Sequence, residues 1–181
     1  MQGREAKETP GLPTWLKELG VAAAIFGLVF WLGQGMRGGG EQLDKAQTAP
    51  AFELEDMRSF QRVTREDLLG TPVALSFWGT WCGACRKELP ALESLHRASN
   101  GAYKVVTIAN DPPQKLARFI ERNPSLSLPM LVDPPGRVHR AYGIRAVPTT
   151  VVIDSQGSVV EIFTGASSTE AIGRKLLALA R

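Results

Sequence analysis

Apolar residues are spaced in three different ways along this 181-residue chain. From Leu19 to Gly33 they form an almost unbroken run, with no charge between Glu18 and Arg37. Beyond Ala51 they become periodic. Phe52-Glu53-Leu54 alternates apolar and polar, and Phe60 to Val63 alternates again after a short polar turn, which predicts a small β-hairpin. Val73 to Trp78 is nearly all apolar, as a strand covered on both faces must be. From Cys85 the spacing turns helical, through Leu89, Leu92 and Leu95 to about Arg97.

Tyr103 to Ala109 reads as a second buried strand, ended by Asn110-Asp111-Pro112-Pro113. A helix follows over Gln114 to Arg122, with Leu116, Phe119 and Ile120 on one face. Met130 to Val132 is a short strand, and Val138 to Tyr142 a short helix. Thr149 to Ile153 and Val159 to Phe163 flank Asp154-Ser155-Gln156-Gly157, a hairpin signal. Thr169 to Ala180 closes the chain as an amphipathic helix with Ile172, Leu176, Leu177 and Leu179 inward. Strands alternating with helices, then a hairpin and a last helix, describe an α/β fold: a central mixed sheet flanked by helices, with an N-terminal β-hairpin extension.

The pattern divides the chain into a polar segment 1–18, a transmembrane anchor 19–36, a Gly-rich linker 37–50 and a folded domain 51–181. Trp15 and Trp31 lie near the ends of the apolar run, where interfacial indoles are found, and Lys17 flanks it. The run from Leu19 to Gly33 is shorter than the ~20 residues a spanning helix needs, and extension to Trp15 and Met36 reaches that span. A signal peptide has a similar run length, and a buried soluble helix is a third reading. Gly33-Gln34-Gly35-Met36-Arg37 offers no good small-x-small cleavage site, which favours an uncleaved anchor. Arg4, Lys7 and Lys17 precede the run while Arg37 and Lys45 follow it, which favours the N-terminus in the cytoplasm.

Charge adds little. Lys and Arg balance Asp and Glu at 5 and 5 over residues 1–50, and stand at 16 against 13 over residues 51–181. A surplus so dispersed gives no concentrated phosphate-binding patch, so nucleic acid is not an expected partner.

The cysteines change the picture most. There are two, Cys82 and Cys85, and a ring closed across two residues restricts very little of an unfolded chain. Such a pair is a reactive dithiol or half of a metal site. The metal reading needs two more ligands and finds only His96 and His139, so no metal or other cofactor is expected. Both histidines are expected at solvated positions, and Asp133 and Asp154 in turns. In Trp78-Gly79-Thr80-Trp81-Cys82-Gly83-Ala84-Cys85 a buried strand ends, four residues bend, and a helix opens. Cys82 then sits at a helix N-terminus, where free amides and the macrodipole favour the attacking thiolate. Cys85, one turn deeper, is placed to close on Cys82 and release a mixed disulfide.

The segment Phe77-Trp78-Gly79-Thr80-Trp81-Cys82-Gly83-Ala84-Cys85-Arg86-Lys87-Glu88-Leu89-Pro90 resembles the active site of the TlpA/ResA/CcmG group. These are membrane-anchored or exported thioredoxin-like oxidoreductases of bacteria, and the likeness covers about residues 50–181. It implies a thioredoxin-like fold with Cys82 as exposed nucleophile and Cys85 as resolving thiol. Trp81 is then the aromatic beside them, Pro90 the proline of the active-site helix, and Val147-Pro148-Thr149 the loop whose cis-proline faces the cysteines. A cis Pro148 would offer the Val147 backbone to a substrate strand; the plain alternative is a trans-proline opening a strand. Gly83 and Ala84 separate the cysteines where relatives often carry a proline, and with Trp81 and Val147 they make the expected substrate-contacting surface.

Thioredoxins use a buried Asp on the strand before the motif, and Ser76 stands at that position. The ResA-type pattern has a glutamate three residues after the second cysteine, and Glu88 occupies it. On the same helix face as Cys85, Glu88 would raise thiol pKa values and take the buried thiol's proton; otherwise it is a surface ion pair with Arg86 or Lys87. The leading expectation is a thiol:disulfide oxidoreductase tethered outside the cytoplasmic membrane, a reductase of exported proteins such as apocytochrome c. A transmembrane thiol donor would recharge it. An oxidase or isomerase is the alternative enzyme, and a non-catalytic docking or metal-handling module the alternative class.

Overall fold

The computed structural model describes residues 43–166 and 169–181. The expected segment 1–18, the anchor 19–36 and positions 37–42 of the linker lie outside the described residues. Among the described residues no helix is long and apolar enough to cross a membrane.

Strand β3 (Val73–Trp78) is the centre of the fold, and all six of its residues are buried. It pairs in parallel with β4 (Lys104–Ala109) and antiparallel with β6 (Thr149–Ile153), so that Ser76 lies opposite Thr107 on one side and Thr150 on the other. Outward from β4 come β5 (Met130–Val132), parallel, and then β1 (Glu53–Asp56) and β2 (Arg62–Thr64), antiparallel. Outward from β6 comes β7 (Val159–Thr164), which completes the order β2-β1-β5-β4-β3-β6-β7.

Alternation along β3 sends its side chains to two cores. Ala74 and Trp78 face α2 (Gly83–Ala98), α3 (Pro113–Arg122) and α5 (Thr169–Leu179), where Leu89, Leu92, Leu116, Ile172 and Leu176 fill the space. Val73, Leu75 and Phe77 face the other way, onto Phe52, Leu68 of the short helix α1 (Arg65–Leu68), and Val138 and Tyr142 at α4 (Arg137–Ala141). The predicted N-terminal hairpin is present, held to β5 by the Asp56 carboxylate. That carboxylate accepts from the Met130 amide at 3.1 Å and from Arg58 and Ser59 in its own turn. Asp154 is the turn residue expected of the β6–β7 hairpin, accepting from the Gln156 and Ser158 amides at 2.9 Å, and Gly157 supplies the φ of +93° the turn requires.

Two expectations are corrected by packing. The linker was expected to run to residue 50, yet Leu43 and Ala49 are buried and the chain around them pairs with the start of β7. The Ala46 amide donates to Val159 at 2.7 Å, Val159 to Gln47 at 2.8 Å, and Ala49 to Gly157 at 2.8 Å. These bonds cover part of an otherwise open sheet edge, a reason for the chain to dock there. Leu177 was expected inward on the last helix but is 52% exposed. Ile172, Gly173 and Leu176 form the stripe that meets α2, and Leu177 lies about 100° around the helix from Leu176. At Gly173 a Cβ would come within 2.8 Å of Leu95 Cδ2, so a larger residue there would require the Leu95 side chain to move.

Leu176→Ala should therefore cost about 2–5 kcal/mol of unfolding free energy, while Leu177→Ala stays within about 0.5 kcal/mol. Denaturant midpoints of the two variants check this. Equal losses would contradict the helix orientation.

Candidate active site

Three loops meet where β3 ends. The first is Gly79-Thr80-Trp81, between β3 and α2. The Asp111 carboxylate clamps it: Oδ2 accepts from the Thr80 amide and Oδ1 from the Thr80 hydroxyl, both at 2.7 Å, and Asp111 is itself buried. Asp111 was read from sequence only as part of the turn after β4. Its role was hidden because Thr80 lies 31 positions away and no local pattern couples the two. The Trp81 indole lies over Gly79, where a Cβ would come within 2.7 Å of the ring's Cε2, and is 63% exposed. Trp81 thus borders the cysteines and is open to solvent.

Cys82 caps α2. Its backbone is extended (φ −85°, ψ 110°), its amide donates to Gly79 at 3.0 Å, and its Sγ accepts from the Cys85 amide at 3.2 Å. A sulfur held against the free amides of a first helical turn is favoured as thiolate once reduced. Cys82 and Cys85 are joined by a disulfide with a Cα–Cα separation of 5.3 Å. The expected exposed nucleophile is largely covered in this closed form, at 8% exposure, but remains more open than Cys85 at 2%. Gly83 and Ala84 lie on the solvent side of the turn. The helix continues through Pro90, which has no N–H to give to the Arg86 carbonyl.

Besides the loop that leaves β4 with Asp111, the loop that enters β6 carries a cis peptide between Val147 and Pro148. The Val147 carbonyl oxygen lies 3.8 Å from Cys82 Sγ, and the Thr149 hydroxyl ties the loop back to the Ala146 carbonyl at 2.8 Å. The alternative of a trans-proline does not apply.

The buried stripe of α2 is Cys85, Glu88, Leu89, Leu92 and Glu93, the i, i+3, i+4, i+7, i+8 pattern of a core-facing helix with two carboxyls in it. They are treated oppositely. Burial alone would push Glu93 up, but the Ser127 hydroxyl, Arg97 and the Leu128 and Ser127 amides all donate to it and hold it down to about 2. Among the described residues Glu88 has no donor at either oxygen, and it forms no ion pair with Arg86 or Lys87; Arg86 instead donates to the Thr80 carbonyl at 2.8 Å. Burial pushes the Glu88 carboxyl up to about 7. The surface ion-pair reading of Glu88 therefore fails.

His139 is also not where the sequence suggested. It is buried, its Nδ1 lies 2.9 Å from Asp133 Oδ2, and its ring meets Phe77 edge-on at 5.0 Å. Asp133, expected in a turn, also accepts from the Arg137 and His139 amides at 2.9 and 3.0 Å, which with the imidazole hold its carboxyl low against the opposing effect of burial. The pair fastens α4 to the end of β5. The signal was an Asp–Pro–Pro–Gly turn ahead of a helix, which reads as exposed until Phe77 is found behind it. His96 is half-buried on α2.

A mixed sheet between helices, a two-cysteine disulfide capping the helix after the central strand, and a cis-proline loop beside it define a thioredoxin-like thiol–disulfide protein. Comparison with known proteins narrows this. Residues 46–162 match the AhpC/TSA family. The chain is similar to thiol-disulfide oxidoreductase ResA of Halalkalibacterium halodurans, 37% identical over 125 residues, 66% of this chain and 68% of that protein. It is likewise similar to ResA of Bacillus subtilis, 34% identical over 129 residues, 70% of this chain and 71% of the relative. Among solved structures, the exposed lipoprotein thioredoxin Etrx1 of Streptococcus pneumoniae superposes with a TM-score of 0.62 at 31% identity, covering 72% of this chain and all of that one. The chain belongs to the AhpC/TSA family and, within it, to the ResA-type thiol-disulfide oxidoreductases.

Glu88 makes a pH prediction whose sign is fixed by its environment. The folded protein holds this proton up to about pH 7, whereas the unfolded chain releases it near the ordinary 4.5, so the folded state binds more protons in between. The stability this contributes is fully present below pH 4.5 and is lost as pH rises through about 7. The oxidised protein should lose up to about 3 kcal/mol relative to Glu88→Gln across that window. Parallel urea titrations of both proteins from pH 4 to 8 measure it; a constant difference would rule it out.

Proposed function

We propose that this protein is a reductase of disulfides in exported proteins, held by the 19–36 segment on the outer face of the bacterial cytoplasmic membrane. The observation that carries the reading is the closed Cys82–Cys85 pair beside the cis Val147–Pro148 bond, with an unpartnered Glu88 carboxyl on the Cys85 face of the same helix. In the reduced protein the Cys82 thiolate attacks one sulfur of a client disulfide. The client S–S bond breaks, a Cys82–client S–S bond forms, and the departing client thiolate takes a proton from water. Cys85 then gives its proton to the Glu88 carboxylate and attacks Cys82 Sγ, which releases the second client thiolate and closes Cys82–Cys85. Two electrons pass from the dithiol to the client.

A carboxyl titrating near 7 is suited to that transfer, because it is substantially ionised before the step and protonated without great cost after it. Substrate pairing with the Val147 backbone, and contact with Trp81, Gly83 and Ala84, would hold the client sulfur over Cys82. The dithiol provides for one turnover, so a transmembrane thiol donor must reduce it again. Apocytochrome c and copper-site cysteines are clients of the right chemistry. Gly83-Ala84 contains no histidine to acidify Cys82 strongly, which favours a reducing or moderate poise over an oxidising one.

Cys85→Ala should accumulate mixed disulfides through Cys82 in membranes of the native organism, and Cys82→Ala should trap far less. The wild-type domain should equilibrate with glutathione at a low potential and be mostly reduced in cells. A high potential with an oxidised pool would make it an oxidase. An absence of any trapped client would favour a docking protein.

A further inference from the structure

The groove beside the dithiol has a charge that disulfide exchange does not by itself require. It has a volume of about 310 Å³ and runs from Trp81 and Val147, at the edge of Cys82, to Arg140 and Arg145, with Pro134 and Pro135 in its wall. No Asp or Glu lines it among the described residues. Arg140 donates from Nη1 to the Pro135 carbonyl at 2.6 Å, which fixes its guanidinium at the wall and leaves further N–H groups for a ligand. Arg145 is exposed and makes no ion pair among the described residues.

Three carboxylates at this pole are turned inward, and Glu53, beyond Pro134 and Pro135, is paired with Arg62. Asp111 is consumed by Thr80, Asp133 by His139, and Glu88 is buried on α2. On the far side of Cys82, Arg86 and Lys87 are exposed. The groove lining and the exposed first turn of α2 therefore present cations to a segment docked at the reactive sulfur, although the whole chain carries only +3.

We propose that this groove selects protein segments carrying Asp or Glu close to the disulfide cysteine. An extended client paired with the Val147 backbone would run along the groove and place acidic side chains against the Arg140 and Arg145 guanidiniums, which suit carboxylates because their planar N–H forks match the two oxygens. The same charges steer the encounter before contact, an effect that falls with ionic strength. The inference rests on the reading of Cys82 as the attacker of protein disulfides and adds the class of segment it prefers.

The test uses the reduced full-length chain and two peptide disulfides of equal length, one with Glu and one with Lys flanking the cysteine. The Glu peptide should react about tenfold faster in low salt, and the two rates should converge at high salt. Arg145→Glu, alone and with Arg140→Gln, should bring the ratio to one or below. Arg122→Glu makes the same charge change at the C-terminal end of α3. That helix leaves the dithiol pole after β4, so the ratio should persist in this variant. Equal rates for the two peptides, a ratio unchanged in the groove variants, or a ratio lost equally in Arg122→Glu would each overturn the groove assignment. A neutral small disulfide, hydroxyethyl disulfide, keeps the two readings apart: if it fails to oxidise the dithiol, the proposed function falls rather than the groove.

Discussion

The docking of the first turns of α2 onto β3 is the contact on which the rest of this structure depends. Ala74 and Trp78 of the strand meet Cys85, Leu89 and Leu92 of the helix in one continuous core. Burying that stripe draws Cys85 inward and leaves Cys82, three residues earlier, at the rim with its sulfur against a helix amide. The asymmetry between a sulfur at the rim and a buried one thus comes from ordinary helix packing. It needs no special geometry at the cysteines themselves.

The same packing places two carboxyls where carboxyls are costly, and the protein treats them in opposite ways. Glu93 is answered by donors from the 125–128 segment and by Arg97, so it remains ionised and joins α2 to the approach to β5. Glu88, on the turn after Cys85, is answered by no donor among the described residues. A buried carboxyl without donors is a standing cost to stability. Its position beside a dithiol that must lose a proton is the physical reason for the chemical role proposed for it.

Topology explains why the site lies at one pole. Strands β3 and β4 are parallel, and β6 is antiparallel to β3. The loops that leave β3 and β4 and the loop that enters β6 must therefore emerge at the same end of the sheet. They bring Trp81 and Cys82, Asp111, and Val147–Pro148 together from three distant stretches of chain. Asp111 fixes the first loop, and the Asp133–His139 pair fixes the helix that walls the neighbouring groove, so the surroundings of Cys82 are held by buried polar contacts rather than by the disulfide alone.

Much of this was legible without coordinates because it depends on local spacing. The period change at Cys85 located the active-site helix, alternation located the first hairpin, the Asp154-Ser155-Gln156-Gly157 turn located the second, and a strand, turn and two cysteines in succession located the dithiol. These are properties of neighbouring residues, and tertiary contacts did not override them. The burial of His139, the clamp from Asp111, the outward turn of Leu177 and the docking of residues 43–50 on β7 were not legible. Each depends on what the sheet order brings opposite a residue from far along the chain. For Glu88 the sequence by itself determined its place beside Cys85. Only the tertiary structure decided that no cation reaches it, because Arg86 is drawn away to the Thr80 carbonyl and the core closes over the carboxyl.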